Sequence, residues 1–303
     1  MNNRWVTAAA AMLLAIGAFF ILIWGKGILL PLAVAIMLWY LLDALSDTIA
    51  GYGARVVSLP KWVYTVLALV VSLGTASIIF DALTSSLSSV TEAAPLYQTN
   101  FTKLAEKGAA FLGLEATPTI KQLAGSLDMK SLVGSLAGLV TTLAGNIGII
   151  IVYLLFILIE ERTFEKKLTA LFTSKEDRGR VKDIIEGIQS RIRTYVFIKT
   201  ALSVLTGVIS YVILLMVGVD YALFWAFLIF LLNYIPTIGS MVGVILPTLL
   251  TLVQFSSAGP FFIVLASLGT VQFLIGNILE PKLMGGTLNL SALVVLFSLA
   301  LWG

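Results

Sequence analysis

Polar residues interrupt a long apolar stretch in the last third of the chain. Residues 221–255 are mostly apolar, but their midpoint is Asn-Tyr-Ile-Pro-Thr-Ile-Gly-Ser at positions 233–240. Inside a bilayer such a break exposes backbone groups that hydrocarbon cannot satisfy, so it must be covered by protein or line a wet cavity. Free carbonyl groups and helix-end dipoles there can replace the hydration shell of a polar solute or a monovalent cation. The alternative is a tight structural turn. We predict that the binding residues of this segment are Asn233, Tyr234, Pro236, Thr237, Gly239 and Ser240.

A second polar set follows in the next apolar segment. At 100° per residue, Glu280 falls between Gln272 and Asn277 on one broad helical face, which predicts the wall of a cavity. Pro281 is expected to stop the helix. A buried Glu280 would be a candidate proton carrier, whereas the alternative is an interfacial pair with Lys282. Asp43 and Lys199 are weaker candidates, because both lie where side chains can extend to lipid headgroups.

The composition indicates that these segments lie in a membrane. The chain has 303 residues, of which 59% are hydrophobic and 12% are charged, whereas a soluble domain carries about 25% charged residues. The absence of His and Cys removes thiolate metal sites, zinc-peptidase motifs and Ser/His dyads. A formal net charge of +3 does not indicate a nucleic-acid partner. We therefore expect no enzyme activity, no metal and no cofactor.

The pattern predicts an all-α, polytopic integral membrane protein with about eight membrane segments. The polar break predicts a re-entrant helical hairpin over 221–255, with flanks of about 12–15 residues each; two short, bent spans are the alternative. An amphipathic pattern interrupted by Pro95 predicts an external helical insertion, either a simple hairpin or an arm or lid. The predicted divisions are spans 1–3 in 1–81, the insertion in 82–138, span 4 in 139–160, a cytoplasmic, interfacial amphipathic helix in 161–199, and a transport core in 200–303.

The distribution of basic residues predicts the orientation. With a cytoplasmic N-terminus, 14 of the 19 Lys and Arg residues face the cytoplasm, as the positive-inside rule requires. The insertion at 82–138 then faces outward. The basic residues of 161–199 are expected to serve topology and lipid headgroups, with a gating role as the alternative.

Two motifs resemble the autoinducer-2 exporter family of bacterial membrane proteins. They are Asn-Tyr-Ile-Pro-Thr-Ile-Gly at 233–239 and Asn-Ile-Leu-Glu-Pro-Lys-Leu-Met-Gly at 277–285, and the resemblance extends to Lys199-Thr200-Ala201 with Gly207. It implies about eight spans, an external helical segment and a homo-oligomer of five subunits that moves substrate by an elevator-like shift in the inner membrane. Similar proteins export autoinducer-2 or exchange sodium or lithium for protons. The sequence departs from this pattern by ending at Gly303, inside what should be the final span.

Secondary transport is the predicted function, since no nucleotide-binding motif is present that would couple ATP hydrolysis. The prediction is export of a small polar solute such as autoinducer-2. A sodium (lithium)/proton antiporter is the first alternative, because Glu280 is titratable. A membrane scaffold that transports nothing is the second.

Overall fold

The computed structural model describes residues 3–53, 59–111, 129–171, 174–235 and 238–284, and every element within these ranges is helical. Within these ranges the α-helices, in chain order, are α1 Asn3–Trp24, α2 Lys26–Gly53, α3 Lys61–Phe111, α4 Met129–Leu171, α5 Lys175–Val217, α6 Ala222–Leu232, α7 Ile238–Phe255, α8 Ala258–Phe273 and α9 Glu280–Met284. A π-helix, Leu274–Leu279, joins α8 to α9.

Five helical stretches in the described ranges are long and apolar enough to cross a membrane. They are Lys26–Gly51, Lys61–Ser86, Glu176–Val217, Ile238–Phe255 and Ala258–Met284. The predicted all-α, polytopic membrane class is therefore confirmed. The predicted first and fourth spans lie within α1 and α4, and the apolar run at 288–302 lies outside the described residues.

The interrupted segment forms two helices of unequal length. Helix α6 has 11 residues and is about 16 Å long, roughly half of a bilayer's hydrocarbon thickness. Helix α7 has 18 residues, so the prediction of a 12–15 residue flank was too short on that side. Helices α6 and α7 pack against each other, as the two arms of a hairpin do.

The helices form two packed groups. Helices α2, α3 and α4 pack together around a small core whose buried members are Ala35, Leu42, Ala68 and Leu154. Helices α5 to α9 and the π-helix form the second group, which we call the C-terminal bundle. Its core is larger and includes Leu214, Trp225, Ile229, Val264 and Leu268. Contacts of α2 with α5, and of α3 with α6 and α7, join the two groups.

Helix α3 continues well beyond its membrane span. It has 51 residues, with Pro95 inside it, and is about 77 Å long. The prediction that Pro95 interrupts the helix was therefore wrong: proline removes one N–H donor, and the neighbouring turns keep the helix continuous. The positions 81/82, 138/139, 160/161 and 199/200, where we predicted divisions, all lie inside continuous helices. Side-chain polarity changes at these positions, but the backbone remains helical.

At one end of the bundle, the extension of α3 is attached to the loop between α5 and α6. Tyr97 is buried, and its hydroxyl donates to Oδ2 of Asp220 at 2.8 Å. Gln254 of α7 holds the same loop, since its Oε1 accepts from the Asp220 N–H at 2.9 Å and its Nε2 donates to the Gly218 carbonyl at 2.8 Å. Burial, assisted by Asp220, raises the pKa of the Tyr97 hydroxyl. Tyr97 thus remains a neutral donor well above neutral pH.

Replacing Tyr97 with phenylalanine removes this hydrogen bond and keeps the ring. We expect a loss of about 1 kcal/mol, measured in detergent as a melting temperature lower by about 2–4 °C. Because the folded protein raises the pKa of Tyr97, the unfolded chain loses this proton first, and the stability from Tyr97 declines as the pH rises above about 10. The difference between wild type and Tyr97→Phe should therefore shrink between pH 9 and 11. A constant difference over that range would contradict the role of the hydroxyl.

Ionic contacts join α2, α3 and α5 near the middle of α5. Asp43 of α2 accepts from Lys61 of α3 at 3.1 Å and from Arg193 of α5 at 3.3 Å. Arg193 also pairs with Asp47. Asp43, considered above as a candidate for solute binding, therefore lies in an ionic network between the two helix groups.

Candidate functional site

The C-terminal bundle contains a cavity of about 550 Å³. Helices α5, α7 and α8, the π-helix and the start of α9 all contribute to its wall. Its polar lining is Lys199, Ser240, Gln272, Asn277 and Glu280. The remaining lining is Met241, Val244, Ile245, Gly269, Phe273 and Gly276. Such a mixture of apolar walls and a few polar groups is typical of small-molecule sites, which occupy about 300–1,000 Å³.

Asn233, at the end of α6, connects the hairpin turn to two other helices. Its side chain is buried, with 4% exposed. The amide Nδ2 donates to Oγ of Ser203 on α5 at 3.0 Å, and Oδ1 accepts from Nε2 of Gln272 on α8 at 3.1 Å. Asn233 does not line the cavity itself, whereas Gln272 does. The asparagine therefore positions a cavity residue and satisfies a polar group on α5.

Tyr234 makes a second contact between the turn and α5. Its hydroxyl donates to Oγ1 of Thr200 at 2.7 Å, and its ring packs edge-on against Phe230. Together with the Asn233 bond, this contact fixes the turn against α5. The face of α5 that receives these bonds carries buried polar residues three or four positions apart, namely Lys199, Ser203, Thr206 and Ser210.

Gly239 allows the two arms of the hairpin to approach closely. A Cβ atom at this position would lie 1.8 Å from the Leu232 carbonyl oxygen and 2.7 Å from its carbonyl carbon. The Gly239 N–H donates to the Ile235 carbonyl at 3.2 Å. No side chain fits at position 239 without moving the end of α6.

A π-helix forms the part of the wall that carries Gly276 and Asn277. The N–H of Glu280 donates to the carbonyl of Ile275, five residues earlier. Pro281 has no N–H, so it leaves a carbonyl of the preceding turn without its helical donor. π-helical turns are rare overall, and those that occur are often located at functional sites. The prediction that Pro281 stops the helix was wrong: α9 continues to Met284, because proline fits the first turn of a helical segment.

Glu280 forms an ion pair inside the protein. Its Oε1 accepts from Nζ of Lys199 at 2.7 Å, whereas the interfacial alternative placed it against Lys282. The Lys199 side chain is 4% exposed and that of Glu280 is 21% exposed. Lys199 was expected to extend to headgroups, and it is instead buried beside the cavity.

The predicted site residues occupy three kinds of position. Ser240, Gln272, Asn277 and Glu280 line the cavity. Asn233, Tyr234 and Gly239 lie behind the wall or in the turn and shape it, while Pro281 is exposed beside Glu280. Pro236 and Thr237 lie outside the described residues. Sequence reasoning underestimated Lys199, although the regular spacing of Ser203, Thr206 and Ser210 after it marks a polar face on an apolar helix.

The chemistry of the cavity is that of binding through hydrogen bonds. It offers amide, hydroxyl and ammonium donors together with carboxylate and amide acceptors, against an apolar wall. In the ranges that the structure describes, no group of three or more His, Cys, Asp or Glu residues comes together to hold a metal ion. The arrangement suits a small solute with several hydroxyl or carbonyl groups.

Comparison with known proteins finds one family and several relatives. The family model described as "AI-2E family transporter" matches residues 10–303. "AI-2 transport protein TqsA" of Escherichia coli K12 is 33% identical over 189 residues, which cover 61% of this chain and 54% of TqsA. "Putative transport protein YhhT" of the same strain is 32% identical over 196 residues, or 64% of this chain and 54% of YhhT. A relative from Haemophilus influenzae, described as "Putative transport protein", is 36% identical over 159 residues, which cover 52% of this chain and 45% of the relative. The chain thus matches about half the length of these curated relatives.

Proposed function

Because the chain belongs to the AI-2E transporter family, we propose that it is a secondary transporter that exports a small polar solute of the autoinducer-2 kind through the cavity of the C-terminal bundle. The observation that carries the proposal is the cavity itself, which lies between membrane-length helices and holds Ser240, Gln272, Asn277 and Glu280. The description of TqsA as an AI-2 transport protein supports the solute class.

Binding in the cavity would combine polar and apolar contacts. The amides of Gln272 and Asn277 and the hydroxyl of Ser240 would replace the water around the solute's oxygen atoms. Val244, Ile245 and Phe273 would contact its carbon skeleton. Since Asn233 holds the Gln272 amide at 3.1 Å, the hairpin turn would keep one of these groups oriented before the solute arrives. Such preorganisation reduces the entropic cost of binding.

A sodium (lithium)/proton antiporter is the second candidate. The observation that favours it is Glu280, a carboxylate that lines the cavity. Both candidates are tested with purified protein in liposomes. One assay follows loss of labelled autoinducer-2 from loaded liposomes, and the other follows internal pH after a sodium or lithium pulse. Solute efflux without a pH response supports export, and a pH response without efflux supports the antiporter. If neither assay gives a signal, the proposal that this chain is a transporter is contradicted.

Replacing Glu280 with glutamine separates the two candidates further. Glutamine keeps an oxygen that accepts from Lys199 but has no titratable group. For the exporter we expect solute efflux to fall about threefold to tenfold and remain measurable, since the ion pair with Lys199 is replaced by a hydrogen bond to a neutral oxygen. An antiporter would lose exchange completely. Glu176→Gln is the control, because that carboxylate is 85% exposed in a surface pair with Arg180 and its loss should leave efflux unchanged.

The proposal includes a multi-pass protein of the bacterial inner membrane with a cytoplasmic N-terminus. The excess of Lys and Arg in 161–199 supports this orientation. The chain has no Cys, so single cysteines at Gly179 and at Asn100 can be labelled with an impermeant maleimide in intact cells. Labelling at position 100 alone is expected, and labelling at position 179 alone would reverse the orientation.

The proposal also includes a homo-oligomer, with five subunits implied by the resemblance. Many large apolar side chains outside the two cores are exposed in the isolated chain, among them Leu14, Phe20 and Met216, and they require lipid or a neighbouring subunit. Native mass spectrometry of the protein in detergent measures the subunit number directly. A purely monomeric spectrum in mild detergents would contradict the oligomer.

A further inference from the structure

The ion pair that we find in the cavity joins Lys199 and Glu280, whose opposite charges neutralise each other. Lys199 Nζ lies 2.7 Å from Glu280 Oε1, although the two residues are 81 positions apart along the chain. Both side chains line the cavity. The pair therefore belongs to the candidate site and contributes no net charge to it.

The surroundings of the pair supply no other acidic partner among the described residues. Tyr195 lies one turn before Lys199 on α5, and Tyr234 of the hairpin donates to Thr200, the neighbour of Lys199. Lys282 is exposed. The polar lining beyond the pair consists of uncharged groups, the side chains of Ser240, Gln272 and Asn277.

A carboxylate that is taken out of water requires a positive partner at close range. In a site that binds sodium or lithium, the bound ion supplies that positive charge, and the carboxylate is left to a proton when the ion departs. Here the ammonium group of Lys199 already occupies this position. A monovalent cation would have to displace a buried lysine that has no second acidic partner in the described residues.

We propose that Lys199 is the permanent counter-cation of Glu280, so that the site accepts uncharged polar solutes, excludes monovalent cations and moves no net charge. This inference rests on the proposed transport function and names its substrate class. Lys199 would then determine which of the two candidate functions the site performs, since loss of its ammonium group would leave Glu280 free to bind a cation.

The first test measures cation binding and does not depend on transport. Lys199→Met keeps an unbranched side chain and removes the charge. The melting temperature of the protein in detergent is measured in sodium or lithium chloride and, at equal ionic strength, in N-methyl-D-glucamine chloride. We expect no cation-specific shift for wild type or Lys199→Arg, and a rise of about 3 °C or more for Lys199→Met, because a ligand that binds only the folded state stabilises it.

The double variant Lys199→Met/Glu280→Gln identifies the site. It has neither charge, so it should fold without a buried unpaired carboxylate and show no cation shift. A sodium or lithium shift in wild type of the same size as in Lys199→Met would overturn the inference. So would a shift that persists in the double variant, or an absence of shift in a folded Lys199→Met. If Lys199→Met does not fold, the decision passes to the electrical test on wild type.

The electrical test uses wild-type liposomes that contain labelled autoinducer-2, with the membrane potential set by potassium and valinomycin. One net charge moved with the solute would change its equilibrium distribution about 50-fold per 100 mV. We expect a distribution that is independent of potential and of sodium. Efflux that follows either of them overturns the inference and leaves the proposed transport function standing. Absence of efflux overturns the proposed function, while the melting result still decides whether Lys199 excludes cations.

Discussion

A single methyl group at position 239 is expected to disable the protein. In Gly239→Ala the new Cβ would lie 1.8 Å from the Leu232 carbonyl oxygen, which is a backbone atom and cannot rotate away. The end of α6 must move, and the contacts of Asn233 and Tyr234 beyond it move as well. We expect a loss of about 3 kcal/mol in the free energy of unfolding and efflux about tenfold or more below wild type. Melting in detergent and liposome efflux measure the two effects.

Gly243→Ala is the matched control one turn along α7. A Cβ there would meet Cγ1 of Ile229 at 3.4 Å, an ordinary van der Waals contact, and alanine favours the helix by about 0.5–1 kcal/mol. We expect stability and efflux close to wild type. Equal effects of the two substitutions would mean that the close approach at Gly239 is not what shapes the hairpin.

Asn233→Leu is expected to have the second-largest effect. Leucine has a similar size but cannot bond to Ser203 or to Gln272, and the Ser203 side chain is completely buried. A buried polar group that loses its partner costs about 1–3 kcal/mol. The Gln272 amide also loses the contact that orients it at the cavity. We expect efflux about tenfold lower, since small displacements of positioned groups have effects of this size or larger.

Thr206→Val is the control for this substitution. Thr206 is buried in the same bundle, but its hydroxyl donates to the Leu202 carbonyl of its own helix, which keeps its helical bond. The replacement should change stability by about 1 kcal/mol or less and leave efflux unchanged. If Asn233→Leu transported like Thr206→Val, Asn233 would have no part in positioning the cavity.

The sequence was most informative where a local rule was broken. Asn, Pro and Gly at the centre of an apolar segment predicted a break, because hydrocarbon does not solvate free backbone groups, and the structure places a turn at residues 233–235. The length of α7 was underestimated, since its first turn, Ile238-Gly239-Ser240, was assigned to the break. The boundaries of long helices were the least predictable, because polar and apolar residues alike continue a helix.

Gln272, Asn277 and Glu280 line one cavity, on a helical geometry that differs from the one we assumed. The prediction used the α-helical angle of 100° per residue, whereas residues 274–279 form a π-helix. No pattern in the local sequence predicts this π-helical turn. The partner of Glu280 could not be predicted from local rules either, because Lys199 is 81 positions away in the sequence and only packing of α9 against α5 brings them together.

The wide turn at 274–279 makes the direction of the Glu280 side chain depend on the backbone hydrogen-bond pattern as well as on residue type. A six-residue π-helix holds more residues per turn than an α-helix does. If the same six residues formed ordinary α-helical bonds instead, everything downstream would rotate by about 100°. The carboxylate would then swing off α5, although every functional side chain would still be encoded.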